Sequence, residues 1–94
     1  MKFKDLKFKV EGDMSNTKRT NVFFENGYGA SVIIGEFTYG GKEGLYEMAV
    51  LKGTEEDWKL YYDTPITSDV IGYLEPKEVI EYLKQIEELP KVEK

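Results

Sequence analysis

The dipeptide Asn26-Gly27 limits the fold more than any other feature, because it separates two runs rich in β-branched and aromatic residues. Asn-Gly readily supplies the positive φ angles of a tight type I′ turn, so the sequence predicts a β-hairpin. With a two-residue loop, Phe24 would face Gly29 and Phe23 would face Ala30, and each large ring would meet a small partner. A bulged turn on the same dipeptide would slip this register by one residue, and the sequence leaves both registers open.

Neither cysteine nor histidine occurs among the 94 residues. Without cysteine the chain has no disulfide, no thiolate zinc site and no iron–sulfur cluster. Without histidine it lacks the usual general base near neutral pH and the commonest metal ligand. We therefore expect one domain over residues 1–94 that is not an enzyme and has no catalytic, cofactor-binding or metal-binding residues.

The charge of the chain is unevenly distributed. The net charge is −5, yet residues 1–20 carry six basic and three acidic groups, and residues 21–94 carry seven basic and fifteen acidic ones. An acidic protein is repelled by phosphate backbones unless its positive charges gather on one face. The N-terminus has no long apolar run and no segment approaches the length of a membrane span, so the sequence predicts an intracellular protein.

Basic residues cluster before the hairpin. Residues 6–10 alternate apolar and basic side chains, which predicts a strand with Lys7 and Lys9 pointing outward, as on a protected sheet edge. Lys18 and Arg19 lead into the hairpin, and Arg19 is the only arginine. The alternative is a nucleic-acid site in which Lys7, Lys9, Lys18 and Arg19 bind phosphates beside stacking aromatic rings.

Three glycines fall within five residues in the segment 36–44, which also contains Phe37 and Tyr39. This composition predicts either a mobile loop or a backbone path that only glycine permits. The glycine spacing fits neither the P-loop nor the dinucleotide-binding fingerprint. A long loop with exposed aromatic side chains is better suited to contacting a partner.

The remaining chain predicts further strands and one helix. Residues 45–52 have apolar side chains on both faces, which is typical of a central strand. Pro76 suits the first turn of a helix, whose apolar stripe contains Val79, Ile80, Leu83 and Ile86. We expect an α+β fold in which a mainly antiparallel sheet of four to five strands packs against this one C-terminal helix.

Three segments together resemble a family of small proteins encoded by bacteriophages and prophages. They are residues 23–32 (FFENGYGASV), residues 39–51 (YGGKEGLYEMAVL) and residues 62–74 (YDTPITSDVIGYL). The resemblance covers about residues 19–86. It implies a viral origin and the host cytoplasm as the place of action, and it carries no catalytic or binding residues.

These observations favour a protein-binding module, with inhibition of a host process or defence system as one role. The expected partner-binding residues are Tyr28, Phe37, Tyr39, Lys42 and Glu43, on the assumption that the hairpin end lies beside the glycine loop. A nucleic-acid accessory protein and a structural, homo-oligomeric phage protein are the alternatives. A homodimer is one expectation because thirteen aromatic residues are more than a single helix covers.

Overall fold

The computed structural model describes residues 2–10 and 17–92. Its strands are β1 (Lys9–Val10), β2 (Lys18–Phe23), β3 (Tyr28–Ile34), β4 (Tyr46–Thr54), β5 (Asp57–Leu60) and β6 (Ile71–Leu74). Its one α-helix in these residues is α1 (Pro76–Glu87), and short 3₁₀ turns occupy Phe3–Asp5 and Gly41–Glu43. The sequence also predicts a polar surface loop over residues 11–17 because this segment is rich in turn-forming residues, and all of it but Thr17 lies outside the described residues.

The strands form one antiparallel sheet in the order β1-β2-β3-β4-β5. Strand β6 also pairs with β4. Strand β3 pairs with one edge of β4. Strands β5 and β6 share the other edge, where β5 pairs with Leu51–Thr54 and β6 pairs with the first residues of β4. The expected α+β class is confirmed, and the described residues form six strands where the sequence predicted four or five.

Helix α1 covers one face of the sheet and completes the core. The buried side chains there come from β3, β4, β6 and α1: Ala30, Val32, Met48, Val50, Leu74, Val79, Leu83 and Ile86. Leu83 is almost fully buried, which confirms the predicted apolar stripe. On the opposite face of β4, Ala49 and Leu51 are also buried, as expected of a central strand.

The hairpin between β2 and β3 has the bulged register. Phe23 pairs with Gly29 and Val22 with Ala30, one residue away from the pairing of a two-residue loop. The Phe24 amide donates to the Tyr28 carbonyl at 2.8 Å, and only Gly27 in the turn has positive φ, at 89°. The type I′ turn is therefore wrong: the loop has three residues, a type I turn followed by glycine in the left-handed region.

The N-terminal strand is shorter than predicted, because only Lys9 and Val10 pair with β2. The preceding chain turns toward the core, where the ring of Phe3 lies 5.0 Å from that of Tyr46 and the ring of Phe8 lies 5.5 Å from it. Residues 6–8 therefore do not extend β1, because the chain instead packs the rings of Phe3 and Phe8 against Tyr46.

Asn26 joins the hairpin to the C-terminal end of α1. Its side-chain Nδ2 donates to the carbonyls of Ile86 at 2.8 Å, Glu87 at 3.1 Å and Leu89 at 3.1 Å. The last carbonyls of a helix have no partner within it, so a distant turn residue caps this helix. The Asn26 carbonyl also accepts a hydrogen bond from the Val92 amide at 2.8 Å.

Candidate functional site

Three exposed aromatic side chains lie together at one end of the sheet. Phe37 is 83% exposed, Tyr39 60% and Tyr73 58%. Phe37 and Tyr39 belong to the loop after β3, and Tyr73 lies in β6. Phe37 and Tyr73 line one groove, and the Tyr73 amide donates to the Tyr39 carbonyl at 3.1 Å. We call these three residues the aromatic platform, and neighbouring exposed aromatic side chains are typical of binding sites.

The position of Tyr73 results from a bulge in β6. Tyr46 pairs with Leu74 and Met48 pairs with Ile71, so two residues of β6 oppose one residue of β4. Tyr73 has φ of 58°, the one positive φ outside glycine among the described residues. A bulky residue in the left-handed region costs about 1–2 kcal/mol, and bulges commonly redirect a side chain next to a functional site. Tyr73 therefore combines a strained backbone with a side chain that is largely exposed.

Tyr39 is held on both sides of its backbone. Its amide donates to Oε1 of Glu47 at 2.9 Å, and its carbonyl accepts from the Tyr73 amide at 3.1 Å. Gly40, with φ of 92°, permits the close approach: a Cβ there would lie 2.9 Å from Cα of Tyr73. The loop thus takes the second of the two expected forms, a backbone path that glycine permits.

The start of the loop is fixed by Thr38. The Gly35 amide donates to Oγ1 of Thr38 at 2.9 Å, and that hydroxyl donates to the Gly35 carbonyl at the same distance. Further along, the Leu45 amide donates to the Gly40 carbonyl at 2.9 Å. The aromatic platform therefore stands on a hydrogen-bonded support.

A shallow groove of about 320 Å³ lies beside the platform, lined by Glu36, Phe37, Thr38, Gly40, Lys42, Glu43 and Tyr73. Glu36, Lys42 and Glu43 are exposed and place charged groups in the groove beside Phe37 and Tyr73. An apolar centre with a polar rim is the usual anatomy of a protein interface. Three of the five predicted partner-binding residues, Phe37, Lys42 and Glu43, line this groove, and Tyr39 lies in the same loop outside the lining.

Tyr28 lies elsewhere. It begins β3, whereas the platform loop follows the end of β3, about 20 Å away at roughly 3.3 Å per residue. Its ring is half-buried, with its centroid 5.8 Å from that of Tyr61. The expected proximity of the hairpin end and the glycine loop is therefore wrong.

Three of the four basic candidates share a second cavity. Lys7, Lys9 and Arg19 line a space of about 580 Å³, and Lys9 pairs with Arg19 across β1 and β2. Lys18, the next residue of β2, projects to the other side and lines a different cavity with Lys42. The carboxylates of Asp5 and Glu55 also line the first cavity.

Sequence reasoning did not select Tyr73 as a site residue. The available signal was Gly72, since a glycine inside a strand pattern often marks a bulge. The direction of the Tyr73 side chain depends on the pairing of β6 with β4, which is a long-range contact.

Comparison with known proteins finds no matching family model, no matching curated protein and no matching solved structure. No helix in the described chain has the length and apolar character needed to cross a membrane. Across residues 2–10 and 17–92, acidic side chains do not gather in a group of three that could hold a metal ion.

Proposed function

We propose that this protein is a non-catalytic binding module that holds a protein partner on the aromatic platform. The observation that carries the proposal is Tyr73: its backbone is in the left-handed region while its ring stays largely in solvent. Strain of this kind persists only where the surrounding structure enforces it, and it concentrates at functional sites.

The energetics of the platform suit protein binding. Burying most of one such ring removes on the order of 100 Å² of apolar surface from water, worth roughly 2–3 kcal/mol. Aromatic side chains supply much of the affinity at protein interfaces. The hydrogen bonds at Thr38 and Tyr39 hold the loop before binding, so less conformational entropy is lost on association.

The charge of the chain favours a basic partner. Glu36 and Glu43 lie beside the platform with a single lysine, Lys42, and the whole chain carries a net charge of −5. Such a rim speeds and orients the encounter with a positively charged surface. The resemblance to phage-encoded proteins directs the proposal to a partner in the host cytoplasm, and occlusion of that partner's surface would inhibit a host process.

The test is recovery of partners from a bacterial lysate by the tagged, full-length chain. Phe37→Ala and Tyr73→Gly are expected to abolish recovery of one specific protein. Tyr62→Ala is the matched control, because Tyr62 is 39% exposed and lies outside the platform. The recovered protein is then purified, and its affinity for each variant is measured by calorimetry.

Two outcomes would overturn the proposal. In the first, Tyr62→Ala weakens the purified complex as much as the platform variants do. In the second, Phe37→Ala and Tyr73→Gly bind with unchanged affinity. Nuclease treatment of the lysate separates direct binding from recovery through nucleic acid. The carboxylates of Glu36 and Glu43 beside the platform do not favour binding to nucleic acid.

A further inference from the structure

Strand β5 lies at one edge of the sheet. It spans Asp57–Leu60 and pairs with β4 on one side, and among the described residues no strand pairs with its other side. Leu60 is 49% exposed, and the side chains of Asp57 and Lys59 are exposed as well. Unpaired strand edges are templates for the addition of another strand.

The backbone groups exposed at this edge follow from the pairing of β5 with β4. The Tyr61 amide donates to the Val50 carbonyl at 2.9 Å, so the backbone of Tyr61 faces β4. Because the direction of backbone groups alternates along a strand, Lys59 also faces β4, and the amides and carbonyls of Trp58 and Leu60 point outward. These outward groups make no backbone hydrogen bond within the part of the chain that the structure describes.

The side chains of β5 alternate between apolar and charged. Trp58 and Leu60 lie on the face of the sheet opposite to α1, because Leu60 pairs with Leu51 of β4. Asp57 and Lys59 point to the other face. Trp58 is half-buried and lines two cavities, of about 170 Å³ and 490 Å³, so the packing around its ring is incomplete. Burial of this ring against a further surface is therefore favourable.

The order Asp57, Trp58, Lys59 is complementary to itself. In an antiparallel pair of β5 strands, outward backbone groups must face outward backbone groups, so Trp58 can lie opposite Trp58 of a second copy but not opposite Lys59. In that register Asp57 of each copy lies opposite Lys59 of the other. A shift by two residues sets Lys59 opposite Lys59 in one direction and Asp57 opposite Asp57 in the other, and like charges directly opposite each other are destabilising.

We propose that two copies of this chain form a symmetric dimer by antiparallel pairing of their β5 edges, centred on Trp58. The Trp58 amide of each copy would donate to the Trp58 carbonyl of the other, which continues the sheet across the dimer. The two indole rings would lie beside each other on the face away from α1 and bury apolar surface. The same patch serves both copies, as a twofold interface requires, and two pairs of Asp57 with Lys59 set its register.

The test measures the association of the full-length chain by sedimentation equilibrium over a wide range of concentration. Asp57→Lys and Lys59→Asp each place like charges opposite each other at two positions of the dimer. Each variant alone should therefore dimerise about tenfold more weakly than the parent. An equimolar mixture of the two variants should regain the association of the parent, because every charged pair across the mixed interface is again of opposite sign.

Two controls locate the contact. Lys77→Asp makes the same change of charge on exposed α1 and should leave dimerisation unchanged. Tyr73→Gly should also leave it unchanged, which separates the dimer from the aromatic platform.

Hydrogen exchange provides a second measurement on the parent chain. The Trp58 amide points outward and should become protected as the concentration rises. The Lys59 amide faces β4 and should be protected at every concentration.

Three results would overturn the proposal. The first is a parent chain that sediments as a monomer at every concentration. The second is a dimer that both single variants form as strongly as the parent does, which would place the contact elsewhere. The third is a mixture of the two variants that associates no better than either variant alone, which would show that Asp57 and Lys59 do not lie opposite each other.

Discussion

Strand β3 has a turn with tyrosine and glycine at each end, and the two turns differ in what their side chains contact. At the first end, Asn26 hydrogen-bonds to α1 and Tyr28 packs near Tyr61. At the second end, the backbone of Tyr39 is held on both sides while its ring is 60% exposed.

The two ends of β3 differ in which groups hold the turn in place. At the first end, side chains close the turn against α1 and therefore stabilise the fold. At the second end, backbone groups, Thr38 and the Glu47 carboxylate hold the loop, and the aromatic rings stay largely exposed. Substitutions should accordingly change stability at the first end and binding at the second.

The largest expected loss of stability follows from Asn26→Ala. This change removes Nδ2, which donates to the carbonyls of Ile86, Glu87 and Leu89. It also removes Oδ1, which accepts a hydrogen bond from the Tyr28 amide. The two Nδ2 hydrogens are shared among the three carbonyls, so they and the Oδ1 acceptor amount to about three hydrogen bonds. At a net loss of about 1 kcal/mol each, we expect destabilisation by about 3 kcal/mol, measured by urea unfolding.

Asn26→Asp serves as the control for that interpretation. Aspartate keeps the acceptor for the Tyr28 amide but places a negative charge against helix carbonyls and the negative end of the helix dipole. It should destabilise at least as much as alanine. An unfolding midpoint like that of the parent would show that Asn26 does not cap α1.

Gly27→Ala should have the next largest effect. The residue needs φ of 89°, and a Cβ would lie 2.9 Å from Cβ of Val92. Backbone strain and this crowding together predict a loss of about 2 kcal/mol in the free energy of unfolding, again from urea unfolding.

Gly44→Ala isolates the backbone part of that cost at the other end of β3. Gly44 has φ of 75°, but a Cβ there would meet no atom within 4 Å. We expect a loss of about 1 kcal/mol, from strain alone. Equal losses at Gly27 and Gly44 would argue that Val92 does not restrict the hairpin.

Tyr73→Gly should change stability least. Relief of the left-handed strain is offset by the greater freedom of glycine in the unfolded chain, so thermal unfolding should shift by less than about 0.5 kcal/mol in free energy. Binding to the proposed partner should nevertheless be lost. Destabilisation by 2 kcal/mol or more would mean that the Tyr73 ring supports the fold and that the contrast between the two ends is wrong.

The core and the helix were predictable because their signals are local and repeated. The stripe ending at Ile86 recurs at helical spacing, and Pro76 begins the helix as expected. The glycine-rich composition of residues 36–44 likewise predicted a loop in which Phe37 and Tyr39 are exposed. The N-terminal strand was not predictable, since its pattern fits a strand while its aromatic neighbours pack against Tyr46.

The sequence by itself determined that a hairpin turns at Asn26-Gly27 and that glycine there has positive φ. Tertiary structure decided the rest of this turn. A two-residue turn and its bulged alternative fit the dipeptide equally well locally, whereas Asn26 forms its hydrogen bonds with a helix end 60 to 63 residues away. Tyr73 is decided in the same way, because the bulge that exposes its ring exists only where β6 meets β4.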